Sequence, residues 1–384
     1  MSNFLERDLD PAITAVAPPA AVVLVGLRAC GKETLLRRIL KKIDQPCVFY
    51  ACTAPADLDQ LWFENREAVE AFLLQAPIIV IEDGHLAPDI RLTLSHLVNV
   101  NETLEKPARI FVTASTSLAL AKGVRTPAEE LIVEQQLWPF STAELARNRS
   151  KDFVKENLAN LLVYGSMPPV VEDFEHAADF LVDYVDYRMF RDLYNLLVIR
   201  NRKGLKSLLD LLARRIGTEV DDGELSRESG LCLETVRRYL QLLELVYVIK
   251  IVPTYSQGLR RQPIERKKIY FTDLGIRNAL IRDFTPFAER ADAAALWENF
   301  VVMERVKLHD TLRDAKKLFL IRPQWSDPRE SDFIELEGED AVAFACRLTR
   351  EQAEKHPKAL TAYPEIPIRV FTPETYTDDV EGRR

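Results

Sequence analysis

The sequence predicts an α/β fold in three parts. A three-layer P-loop domain on a parallel sheet comes first, then a helical and winged-helix region, then a small C-terminal α/β domain. Three observations predict it. Short apolar runs alternate with amphipathic helices as far as Thr113, the pattern of parallel βαβ units. A glycine turn, Gly26-Leu-Arg-Ala-Cys-Gly31-Lys32, separates the first strand from the first of these helices. After Pro139 the pattern turns helical, and strands return only from Tyr247 onward.

In chain order, Ala21-Val-Val-Leu-Val25 is a continuous apolar run ending at Gly26, which predicts a buried parallel strand. From Lys32 to Lys42, Leu35, Leu36, Ile39 and Leu40 recur at helical spacing, continued by Ile43. Cys47–Ala51 predicts a second strand, Asp57–Gln75 a helix, and Ile78–Ile81 a third strand that ends in Glu82-Asp83. A helix from about Asp89 to Val100 and a strand at Arg109–Thr113 follow. Residues 141–215 carry helical patterns broken at Gly165–Pro169. Helices at Lys206–Ile216, Asp222–Ser229 and Leu233–Val246 precede strands at Tyr247–Val252 and Lys268–Thr272, the layout of a winged helix. The last part reads as a helix from Leu296, strands near 318–321, 333–336 and 341–346, a helix over 350–361 and a strand at Ile368–Phe371. The expected domains are therefore 1–140, 141–200, 201–285 and 286–384.

The 384 residues are 47% hydrophobic and 29% charged, ordinary values for a globular chain with room for two or three cores. The five cysteines are odd in number and form no CxxC pair, which argues for a reducing, cytoplasmic setting rather than a disulfide framework or a zinc site. The N-terminus lacks a signal-peptide pattern, and the longest charge-free run, Pro11–Leu27, contains three prolines and reads as a buried segment, so no membrane partner is expected. Charge is uneven. Between Arg200 and Arg282 there are 17 Lys and Arg against 10 Asp and Glu, so a basic middle of +7 lies inside a chain of net −8.

Gly26 and Gly31 have the four-residue separation of G-x-x-x-x-G-K, and the flanking strand and helix supply the context that motif needs. Backbone N–H groups of such a turn, with those of the helix N-terminus, surround phosphates. The predicted nucleotide-binding set is Gly26, Arg28, Ala29, Cys30, Gly31, Lys32, Glu33, Thr34 and Leu35, with ATP or ADP and Mg²⁺ as ligands. Lys32 supplies a charge to the β/γ-phosphates, and Thr34 supports an α-phosphate. The residue after the lysine is normally Ser or Thr on Mg²⁺, and here it is Glu33. Like charges ~4 Å apart repel by about 4 kcal/mol at an effective dielectric of ~20. Three outcomes stay open: Glu33 joins the metal shell, or it weakens Mg-nucleotide binding, or nucleotide binding is lost and the fold kept. Glu82 is the second candidate metal ligand. Asp83 is the candidate that orients the attacking water, and Thr113 the candidate sensor of the γ-phosphate.

In the basic middle, Leu233, Val236, Leu240 and Leu243 share one helical face, away from Arg237 and Arg238. A winged helix can set such a helix in the DNA major groove and a basic hairpin on phosphates. Arg237, Arg238, Arg260, Arg261, Lys267 and Lys268, with Arg266 in the same hairpin, are the DNA-binding candidates. A solvated basic face, or one docked on acidic protein, is the alternative.

Taken in order, several segments resemble one group: Gly26–Leu36, Ile79–Asp83, Ile110–Ser117, Pro139-Phe-Ser141, Tyr164–Val170, Arg191-Asp192, Thr235–Glu244, Ile269–Gly275, Trp297–Val301 and Glu330–Phe333. The chain resembles the bacterial and archaeal family of predicted AAA-superfamily ATPases with a C-terminal domain of unknown function. The resemblance implies an AAA-type ATPase domain, a winged helix and a C-terminal domain like the PD-(D/E)xK nuclease fold. It also implies rings or dimers. The chain departs from the family at Glu33, at the inverted acids Glu82-Asp83, and at Glu130-Leu131 where the family carries Gly-Arg, although Arg125 is nearby. Glu298 and Asp332 match the nuclease-like acids, but the expected Glu-x-Lys reads Ala345-Cys-Arg347, so nuclease activity is not expected. Two functions follow as expectations. One is an ATP-binding AAA-type protein with weak or altered hydrolysis. The other is a pseudoenzyme that serves as a protein-interaction or DNA-binding module.

Overall fold

The computed structural model describes residues 5–120, 130–196, 199, 201–254, 266–312, 317–319, 330–338, 340–361 and 363–376. The chain forms two compact units. One is Glu6–Pro139 with Leu245–Tyr247, and the other holds Phe140–Glu244 and the residues from Val248 onward.

The N-terminal unit starts with α1 (Asp10–Ala15) and continues through β1 (Ala21–Val25), α2 (Lys32–Ile43), β2 (Cys47–Ala51), α3 (Pro55–Asp59), α4 (Arg66–Leu73), β3 (Ile78–Glu82), α5 (Ile90–Asn101), β4 (Arg109–Ala114) and β5 (Ile132–Gln136). All five strands are parallel, in the order β2-β3-β4-β1-β5. β1 is wholly buried between β4 and β5, which is why its sequence is apolar without alternation. The edge strand β2 is exposed at Cys47 and Phe49. Two sequence expectations change here. The segment 57–75 is two helices and not one, because the Asn65 side chain accepts the Ala68 N–H and starts α4 afresh. The strand β5 and the short α1 are additions to the expected elements, and α1 starts at Asp10 and runs into the charge-free stretch read as one buried segment.

The second unit opens with helices α6 (Thr142–Asn148), α7 (Lys151–Tyr164), α8 (Pro168–Glu172), α9 (Ala177–Asp183) and α10 (Phe190–Leu196). A π-helical turn, Tyr184–Met189, joins the last two. Helix α7 stops at Gly165, whose φ is +78 and where an added Cβ would lie 2.0 Å from Asp273 Oδ1. The Asp273 carboxylate accepts the N–H of Ser166 at 2.8 Å, which fixes this break. Next come α11 (Arg202–Arg214), β6 (Glu219–Asp221), α12 (Asp222–Ser229), α13 (Leu233–Leu245), β7 (Ile249–Pro253) and β8 (Arg266–Phe271), with an antiparallel sheet ordered β6-β8-β7. The strand β6 is an addition to the expected helices and hairpin.

The chain then runs through α14 (Leu274–Leu280), α15 (Ala293–Leu312), β9 (Lys317–Phe319), β10 (Phe333–Glu337), β11 (Asp340–Cys346), α16 (Arg350–Glu354), β12 (Ile368–Phe371) and α17 (Pro373–Tyr376). The last sheet has the order β12-β11-β10-β9. Helix α16 ends well short of the expected 361, because Pro357 lacks an N–H and keeps the residue before it out of the helical region. Among the described residues, no helix is long and apolar enough to cross a membrane.

Candidate functional site

The glycine loop lies at the C-terminal end of β1, an inner strand between β4 and β5. Gly26 has φ +146, and a Cβ there would sit 2.2 Å from the Leu137 carbonyl oxygen, so the close approach of β5's exit admits only glycine. Ala29 and Gly31 are also left-handed, at φ +63 and +97, and α2 begins immediately after. A left-handed turn running into a helix start aims successive N–H groups at one concavity, the geometry of an anion nest. Lys32 is 1% exposed, and its ammonium donates to the carbonyls of Gly26 at 3.0 Å and Leu27 at 2.9 Å. The lysine thus ties the end of the loop to its beginning.

The other members of the set divide. Burial pushes the Cys30 thiol up, against the pull of Lys32 and Arg7, so it is a neutral filler beneath the loop. Glu33 is half-buried and Thr34 exposed on the first turn of α2. Leu35 must be removed from the set. Its side chain is in the core, and its N–H already donates to the Gly31 carbonyl at 2.8 Å. One loop-holding residue was missed. The buried Arg7 donates to the carbonyls of Cys30, at 3.0 Å, and Trp138. No motif flags it, because it precedes the glycine loop by some twenty residues of unrelated chain.

Glu82 and Asp83 end β3, and β4 separates that strand from β1. Asp83 is left-handed at φ +54, and its N–H donates to the Thr113 hydroxyl at 3.1 Å. The candidate sensor therefore fixes the backbone of the candidate catalytic acid. Arg28 from the glycine loop reaches to 4.0 Å from Asp83 Oδ1, and Arg37 of α2 to 3.6 Å from Glu82 Oε1. His85 Nδ1 lies 3.9 Å from Asp83 but accepts the Ser115 N–H at 3.1 Å. Nδ1 is therefore an acceptor in this contact. Burial first, and Asp83 and Asp57 nearby second, push the Cys52 thiol up to about 12. Among the described residues no three His, Cys, Asp or Glu side chains gather as a metal site. Glu82 and Glu33 offer hard oxygen donors, a set suited to a Mg²⁺ that arrives with phosphate oxygens and not to a resident ion.

The basic candidates also divide. Arg237 and Lys267 both pair with Asp222, at 2.9 and 2.5 Å, and Arg266 approaches Glu224 at 3.6 Å. Arg238 is exposed on α13, whose Leu233, expected on the apolar face, is exposed too. Arg260 and Arg261, like Arg125, lie outside the described residues. Lys268 is a correction. Its side chain is largely covered and turned inward, the ammonium 2.8 Å from Glu298 Oε1, so it is not available to a DNA phosphate.

That contact lies in the acidic cluster of the C-terminal part. The same Glu298 oxygen accepts the Tyr270 hydroxyl at 2.7 Å. Asp332 Oδ2 accepts the Cys346 N–H at 2.6 Å and Arg347 at 3.0 Å. Burial drives the Glu298 carboxyl above its ordinary range, with Lys268 pulling it back and Asp332 pushing it further up. This donor set does not fit the metal that a nuclease-like fold implies. The third carboxylate position is Ala345, and the donors that remain already hold protein cations.

Residues 18–146 match the family described as AAA domain, and residues 155–286 match a domain of unknown function (DUF8612). Among curated proteins, the chain is similar to the uncharacterized proteins Rv2008c of Mycobacterium tuberculosis and Mb2031c of Mycobacterium bovis. Each is 26% identical over 291 residues, 75% of this chain and 62% of the relative. The uncharacterized protein MJ1544 of Methanocaldococcus jannaschii is 23% identical over 182 residues, 43% of this chain and 41% of that one. The chain thus spans less than two thirds of these relatives' length. Solved structures with some likeness include the Walker-type ATPase PABY2304 of Pyrococcus abyssi, at 12% identity, 72% of this chain, 96% of that one and a TM-score of 0.48. Another is AMPPCP-bound DnaA from Aquifex aeolicus, at 14% identity, 63% of this chain, 90% of that one and a TM-score of 0.32. The glycine loop, the acidic strand end and the five-stranded parallel sheet all lie inside residues 18–146, the segment that matches the AAA-domain family.

Proposed function

We propose that the N-terminal unit binds ATP or ADP in the glycine loop and that its hydrolysis is weak or altered. The observation that carries this reading is Lys32, buried at the start of α2 and bonded to the carbonyls of Gly26 and Leu27, so that the loop is held in one shape. Backbone N–H groups of 28–34 cradle the phosphates, Lys32 adds its charge, and Thr34 stands on the outer turn. Glu82 and Glu33 are the residues that would hold Mg²⁺, which when bound neutralises charge on the β- and γ-phosphates. Asp83 orients the attacking water, and Thr113, through its bond to the Asp83 N–H, positions that acid. Hydrolysis is slow on this reading for two reasons. The Asp83 side chain is one methylene shorter than the usual glutamate, and Glu33 adds negative charge beside the polyphosphate.

The second unit reads as a winged helix over 201–285, supported by the order α11, β6, α12, α13, β7, β8 and by the antiparallel three-stranded sheet. Its use on DNA rests on Arg238, with Arg260 and Arg261 as the further candidates, since Arg237 and Lys267 share the Asp222 carboxylate. A non-hydrolysing module is the second reading. It is favoured by the Arg37–Glu82 contact, which occupies the candidate metal ligand.

Thermal unfolding with ATP or ADP, with and without Mg²⁺, separates the two. A shift with nucleotide that Lys32→Ala abolishes supports binding, and no shift with any nucleotide rejects it. For the DNA role, binding should fall with salt and with Arg238→Glu. Binding unchanged by that reversal rejects the recognition helix.

A further inference from the structure

Asp332 is close enough to push the Glu298 carboxyl further above its ordinary range, yet both acids are held by protein cations. Neighbouring residues on a strand point to opposite faces, so β8 sends Lys267 toward Asp222 and Lys268 toward α15. The Lys268 ammonium is fixed at 2.8 Å from Glu298, and its charge is also favoured by Asp332. The Tyr270 hydroxyl, buried and held in its neutral form, stays a donor to the same Glu298 oxygen. A divalent cation between two carboxylates would need those same oxygen lone pairs.

We propose that Lys268 is a built-in counter-cation, its ammonium bound to the Glu298 carboxylate beside Asp332, where a divalent metal would otherwise bind, so that strand β8 seals this cluster against metal. The lysine missing from the strand that carries Arg347 is thus replaced by one from a different element. It serves as the ligand itself and not as a partner to one.

The test uses the full chain without nucleotide, with Mn²⁺ as the probe and free Mn²⁺ counted by electron paramagnetic resonance. Wild type and Lys268→Arg, which keeps the cation, should bind no Mn²⁺ that Glu298→Gln removes. Lys268→Met should bind one further Mn²⁺ per chain, at least tenfold more tightly than any site of the wild type that depends on Glu298. The double variant Lys268→Met/Glu298→Gln should lose it. A folded Lys268→Met, judged by its near-ultraviolet circular dichroism, that binds no more Mn²⁺ than wild type overturns the proposal. So does Glu298-dependent Mn²⁺ in the wild type, which is measurable even if Lys268→Met does not fold. Mn²⁺-dependent cleavage of plasmid DNA by the wild type that vanishes in Lys268→Arg or Glu298→Gln also overturns it, because the lysine would then assist a metal.

Discussion

At the C-terminal end of β3, Glu82 and Asp83 are each 22% exposed and face arginines at 3.6 and 4.0 Å. In the C-terminal part, Glu298 of α15 and Asp332 are 10% and 16% exposed and hold a lysine and an arginine at 2.8 and 3.0 Å. The residue types are the same, and distance and burial separate them. A loose contact between partly exposed groups contributes about 0–1 kcal/mol and yields to an incoming polyphosphate. A buried pair is different, since removing one partner strands a charge and costs about 3–5 kcal/mol. One acidic cluster is open to a ligand, and the other has taken its ligand from the chain.

The largest effect should come from breaking the closed cluster. Lys268→Ala should lower unfolding free energy by about 3–5 kcal/mol in urea, and adding Glu298→Gln should recover more than half. A loss below ~1 kcal/mol would make the two clusters alike. The open cluster is tested next. ATP at about 100 times its dissociation constant should stabilise the wild type by ~2.7 kcal/mol and Lys32→Ala by nothing, read as a shift in the denaturation midpoint. Replacing Glu33 by Thr should tighten Mg-ATP by about tenfold, a screened fraction of the like-charge repulsion at that spot, measured by calorimetry. No tightening would mean that Glu33 serves the metal.

The smallest effect is a pH slope from another closed contact of α15. Burial pushes the Glu335 carboxyl up, but hydrogen bonds from Arg305, at 2.6 Å, and from His309 outweigh it and hold it below the usual carboxylate range. The folded value thus lies under the unfolded one of about 4.3. The stability it contributes is full above that unfolded value and is lost as pH falls through the folded one. The wild type should lose at most about 1.4 kcal/mol per pH unit from this group below pH ~4.3. Glu335→Gln should lack that component in acid titrations of stability.

The open site was legible because its parts are local. A buried strand, two glycines at fixed spacing and an amphipathic helix are contiguous in sequence, and Lys32 sits where the spacing puts it. Leu35 was misplaced because residue counting does not show that the fourth N–H of a helix already meets a carbonyl. The closed site was illegible for a different reason. Arg266-Lys267-Lys268 reads as one basic run, and only strand pairing reveals that neighbours diverge, one to Asp222 and one to Glu298. Asn65 shows a third limit. Its capping bond splits a segment whose apolar spacing runs on unbroken.

Arg7 sets the practical extent of the N-terminal unit. A fragment cut at Val16, just ahead of the first strand, keeps every residue that a motif search would demand. It discards the guanidinium that grips the Cys30 and Trp138 carbonyls, and the Asp10 carboxylate that pairs with Lys42. Such a fragment would carry the right letters on an unbraced loop, and a failure to bind nucleotide would then report the cut and not the protein.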